Sequence, residues 1–126
     1  MNETVTISLG GKAEIGRLFK LAAAVGSPDF YAGKRKWPRI TAPLDLELCF
    51  DPAGDDPLQR VALQHISEGG IGFWSRTRLR GGKVLYVRES SDNDPRPWLK
   101  ARVAHCSAAL RGFLIGCAFE SADQSK

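Results

Sequence analysis

Residues 59–72 read QRVALQHISEGGIG. In the first eight, Val61, Leu63 and His65 alternate with Ala62, Gln64 and Ile66, which predicts a strand over 59–66. The rest, SEGGIG, carries three glycines in six residues and predicts a tight turn over 67–72 that needs permissive backbone angles. A strand ending in such a turn is the unit of an antiparallel β fold, and the same pattern recurs on both sides.

Upstream, Leu44, Leu46, Leu48 and Phe50 alternate with Asp45, Glu47 and Cys49 as a half-buried strand, and DPAGDDP (51–57) forms the next loop. Downstream, KVLYVRE (83–89), WLKARVAHC (98–106) and FLIGCAFE (113–120) read as strands, with SSDNDPRP (90–97) as a loop. ETVTISL (3–9) alternates as a short N-terminal strand. Residues 12–25 place Ile15, Leu18, Phe19, Ala22 and Val25 at helical spacing, and Gly26 followed by Pro28 stops the helix. Five or six short strands with turns between them predict a sandwich or a small barrel. No strand leads into a crossover helix, so a doubly wound α/β fold is excluded. His105 alternates with Val103 and Ala101 and is expected to face inward.

The 126 residues make one domain, with the hydrophobic (43%) and charged (25%) fractions of a globular protein. A net charge of +4 favours anionic partners without naming a nucleic acid. The N-terminus predicts no secretory leader, and no apolar run is long enough to span or insert into a membrane. The three cysteines, Cys49, Cys106 and Cys117, form no CxxC pair and read as small buried hydrophobes of a reduced, cytoplasmic protein. Two histidines, no HExxH or GxSxG motif and no zinc-like spacing leave no catalytic set and no metal site. GGKA (10–13) lacks the first glycine and the hydroxyl of a phosphate loop. The expectation is a non-enzyme with no cofactor.

The anion-binding signal is stronger. Residues 34–39 read KRKWPR, with four cations and no acid. Pro38 keeps the residue before it out of a helix, so the segment is an extended or looped arm. Arg35 and Arg39 can grip phosphate or a guanine edge at two points, with Lys34 beside them. On the later strand, Trp98, Lys100 and Arg102 share the face opposite Leu99, where an outward Trp98 flanked by cations could stack on a purine; the alternative is that Trp98 caps the barrel and the cations are solvated. Arg76, Arg78 and Arg80 recur at period two and read as a solvated loop.

Taken in this order, KRKWPR, HISEGG and the strands that follow resemble the PilZ domain family. Arg35 and Arg39 match its RxxxR motif; Ser67 and Gly70 match its second motif, (Asp or Asn)-x-Ser-x-x-Gly, in which His65 replaces the acid or amide. The resemblance runs from about Gly33 to Glu120. It implies a small six-stranded antiparallel β-barrel over 33–120 and leaves residues 1–32 unexplained; the residues themselves predict an N-terminal strand and helix extension at 1–32 packed on the domain and a frayed tail at 121–126.

It also implies a bacterial receptor for cyclic di-GMP. Lys34, Arg35 and Arg39 would hold the ligand, Ser67 would hydrogen-bond it, and Gly69 and Gly70 would let the backbone approach; Trp98 and Arg102 would enlarge the site. Binding would order the arm at 33–41 and signal to a downstream protein partner, with no role for DNA or RNA; a homo-oligomer is compatible with the sequence. A carboxylate accepts from two donors at once and a neutral imidazole from one, so His65 costs roughly 1–3 kcal/mol of ligand contact. The second reading is a degenerate PilZ-like interaction module that has lost the nucleotide.

Overall fold

The computed structural model describes residues 8–29, 39–54, 56–91 and 95–120. Helix α1 (Lys12–Val25) is followed by strands β1 (Ser27–Asp29), β2 (Arg39–Thr41), β3 (Asp45–Cys49), β4 (Gln59–Ile66), β5 (Gly70–Ser75), β6 (Val84–Glu89), β7 (Leu99–Ala109) and β8 (Gly112–Phe119). Six of these close a ring in the order β4-β3-β6-β7-β8-β5, with β5 pairing back onto β4, and every pairing is antiparallel. The expected six-stranded barrel is therefore the fold, and closure leaves none of the six with an unpaired edge. Strand β2 hangs on β4 through the single pair Ile40↔Ile66, and β1 pairs with β2.

Strand β4 spans 59–66 as its alternation predicts, and the helix spans 12–25. Strand β5 departs from expectation. Residues 70–72 begin a strand rather than finish a turn, because Ile71 and Phe73 are buried core residues and the glycines lie between and before them. Of the expected N-terminal strand at 3–9, residues 3–7 lie outside the described residues; Leu9 makes an isolated parallel bridge to Trp98. The expected tail at 121–126 also lies outside them.

The barrel is filled by the inward residues of every strand, including Leu46, Leu48, Leu63, Ile66, Phe73, Leu85, Val87, Leu99, Val103 and Ile115. Two bulges interrupt the alternation, one between Leu63 and His65 and one between Val103 and His105. A bulge adds a residue to one strand, so every side chain beyond it changes face relative to the simple period of two. Hence Ala104 and His105 are both exposed, and the inward position expected for His105 is corrected to an outward one.

Helix α1 inserts Ile15, Leu18 and Ala22 into the same core. Its buried Glu14 accepts from Arg17 one turn on (2.9 Å) and from Arg96 (2.9 Å), while Arg17 reaches Glu89 on β6 (2.9 Å). Burial pushes the Glu14 carboxyl up, but hydrogen bonds and charge from Arg17 and Arg96 outweigh it and hold the group below its ordinary 4.5. The chain leaves the helix at Gly26, where any side chain would collide with the Thr41 carbonyl and Ala42 of the segment that follows β2. All three cysteines are free; burial pushes Cys117 up to about 12 and is the main cause of the rise at Cys49, so neither thiol is an activated nucleophile.

Candidate functional site

The β4–β5 turn is built by Ser67. Its Oγ accepts from the backbone N–H groups of Gly69 and Gly70, both at 3.2 Å, and its own N–H donates to the Gly70 carbonyl at 2.9 Å. One short polar side chain thus satisfies two turn donors, the local habit that makes serine a turn residue. Gly69 also accepts from the Phe119 N–H at 3.1 Å. Gly70 passes so close to the Cys117 carbonyl on β8 that a Cβ would strike it, so the last glycine of the motif is required by barrel packing itself.

The two halves of the basic-arm and serine motifs meet at one place. Arg39 opens β2 and is followed by Ile40; Ile66 ends β4 and is followed by Ser67; Ile40 and Ile66 are partners. The arm therefore enters the sheet beside the serine turn. Lys34 and Arg35 lie outside the described residues.

His65 opens a row that crosses four strands on the outer face. It pairs with Gly72 on β5, Gly72 pairs with Gly116 on β8, and Gly116 pairs with His105 on β7. A Cβ on Gly72 would collide with His65 Cε1 while lying 2.7 Å from Nε2 and 2.8 Å from Nδ1. The ring atoms on both sides of the closest one are only slightly farther away, whereas an edge-on ring would set them well back, which places the imidazole face-on above the glycine. A Cβ on Gly116 would likewise strike His105 Nε2, with Cε1 at 2.5 Å and Cδ2 at 3.0 Å. Both glycines are floors on which a ring lies flat.

Rows on either side complete the face. Trp74, 43% exposed, pairs with Leu114; Gly70 pairs with Ala118, and Ala118 with Arg102. Arg102 thus stands one row from the histidines, donating to Glu120 at 2.6 Å and to the Gly82 carbonyl at 3.0 Å. The hydrogen bond from Arg102 is the main cause that holds the Glu120 carboxyl below its ordinary range.

Trp98 does not project outward as expected. It is buried, with the Arg88 guanidinium 4.0 Å from its ring centroid and the N-terminal segment hydrogen-bonded along it from Ser8 to Gly10. Arg88 is in turn held by Glu47 at 2.8 Å. A cleft of about 410 Å³ opens here, lined in part by Asp56, Arg88, Arg96 and Trp98, but its two arginines already serve Glu47 and Glu14. The cations of that cleft hold the fold.

Reasoning from sequence missed His105, Gly72 and Gly116 as parts of one surface. The signal available was a glycine inside each of two strands, GIGFWS and FLIGCAFE, since an interior strand glycine marks close approach of another group. The bulge that turns His105 outward leaves no such mark. Among the described residues no group of three or more potential metal ligands comes together, and no helix is long and apolar enough to cross a membrane.

An antiparallel barrel closed from six strands, with the strand that opens at Arg39 paired beside a serine–glycine turn, defines a class of small β-barrel domains. The profile of the PilZ domain matches residues 33–126, and the chain belongs to the PilZ domain family. Among solved structures it is similar to the PilZ domain with c-di-GMP of YcgR from Escherichia coli, at 17% identity, covering 74% of this chain and 81% of that one with a TM-score of 0.48. The comparison with curated proteins returned no match.

Proposed function

We propose that this chain is a cyclic di-GMP receptor domain, without catalytic activity of its own, that signals to a partner protein through ordering of its basic arm. The observation that carries the reading is the meeting of both family motifs at one pair, Ile40↔Ile66, with Arg39 before it and Ser67 after it. Arg35 and Arg39 act as the clamp on phosphates and guanine edges, with Lys34 beside them. Gly69 and Gly70 supply the close-packed turn over which the ligand passes. Ser67 shapes that turn first, since its oxygen already serves two backbone donors. The solved PilZ domain of YcgR, with c-di-GMP, is in keeping with this reading.

Isothermal titration of the full chain with cyclic di-GMP tests it. Saturable binding is expected, and Arg35→Ala and Arg39→Ala should each weaken it by about tenfold or more, the loss of a charge-assisted contact. No heat at high micromolar ligand, or unchanged binding in both variants, overturns the reading. A second reading rests on His65, which stands where the family has Asp or Asn: a degenerate module that grips acidic groups of a protein instead. His65→Asp separates the two. Binding present only in that variant makes the native chain a degenerate member.

A further inference from the structure

The row His65–Gly72–Gly116–His105 has a geometry that neither family motif explains. Partnered glycines on adjacent antiparallel strands stand about 5 Å apart. Each carries one imidazole flat upon it, and the two rings come from opposite ends of the row, so they lie side by side over the middle of the sheet. Their combined area is that of one fused two-ring heterocycle. His105 is exposed, so the face of its ring turned away from Gly116 is open. Any larger residue at Gly72 or Gly116 would lift the rings and break the plane.

Covering a strand glycine with a cross-strand ring is itself a packing contact, and here two neighbouring glycines are each covered. Two rings in adjacent pairs, on the same face, set an aromatic surface beside the serine turn, exposed at His105 and half-buried at His65. Every base has a π-face, and a level ring accepts it without any hydrogen-bond code.

We propose that His65 and His105 form a two-ring platform on which one guanine of the ligand stacks, and that His105 is a recognition residue of the site. This rests on the cyclic di-GMP reading above and deepens it. It also gives His65 a use: the residue that lacks the carboxylate's paired acceptors offers a ring face instead.

Titration of the full chain with cyclic di-GMP is compared for the wild type, His105→Ala and His105→Phe. Removing the ring is expected to weaken binding about 5- to 100-fold, and the phenyl ring to restore it to within about threefold. In the unmutated chain, the His105 Hε1 resonance is expected to move upfield on binding, the ring-current signature of a stacked base, and this needs no variant to fold. Wild-type binding with His105→Ala unchanged overturns the platform and leaves the receptor reading standing. A phenyl variant as weak as the alanine one, with no upfield shift, also overturns it, since the role is then hydrogen bonding or charge. A wild type that binds nothing overturns both.

Discussion

At the scale of single residues, the serine–glycine motif is first of all architecture. Ser67 Oγ accepts from two backbone N–H groups, and Gly70 leaves room for the Cys117 carbonyl. Ser67→Ala removes an acceptor from both donors in a half-buried turn and should cost about 1–2 kcal/mol, read as a lower midpoint in urea denaturation without ligand. An unchanged midpoint would mean that water replaces the hydroxyl fully and that the serine is present for the ligand alone. This also shows why the motif could be found in the chain while its structural part could not. The spacing of Ser67 and Gly70 is visible in HISEGG, but the atoms they touch belong to the same turn and to β8, which sequence spacing does not bring together.

At the scale of elements, α1 was legible because it keeps one helical period over its full length, and β4 because its alternation holds as far as the bulge after Leu63. Strand β5 was not, because its glycines mimic a turn and only the burial of Ile71 and Phe73 between partner strands fixes it as β. The bulge in β7 was equally hidden, and with it the outward face of His105. What fastens α1 is partly electrostatic. Glu14 is 7% exposed while Arg17 and Arg96 are 34% and 31% exposed, so the ion pairs are partly screened. Because the Glu14 carboxyl is held below 4.5 in the folded chain, its contribution is fully present above that pH and is lost as pH falls through the folded-state value. Glu14→Gln should therefore cost about 1–3 kcal/mol at pH 7, and the cost should shrink as pH falls through the lowered folded-state value of the native carboxyl. Denaturation at pH 7 and at successively lower pH checks this; a cost that does not change with pH would assign the effect to packing.

At the scale of the whole molecule, many of the described cations are engaged in holding the fold. Arg17, Arg88 and Arg96 serve Glu14, Glu47 and Glu89 around the helix and the start of β7, and Lys100 and Arg102 serve Glu120. Arg76, Arg78 and Arg80 are exposed. The arm was legible because four cations in six residues need no fold to be seen; its neighbours were not, because closure of the β4–β5–β8–β7 face is what sets His65, Gly72, Gly116 and His105 in a row. The account thus places ligand on that one face. The most direct measurement is amide chemical-shift mapping of the full chain during titration with cyclic di-GMP. The account predicts changes clustered at 34–41, 65–72, 105 and 116, with α1 and the Arg88–Trp98 cleft unmoved. Changes centred on that cleft or on Arg76–Arg80, or none at saturating ligand, would contradict it.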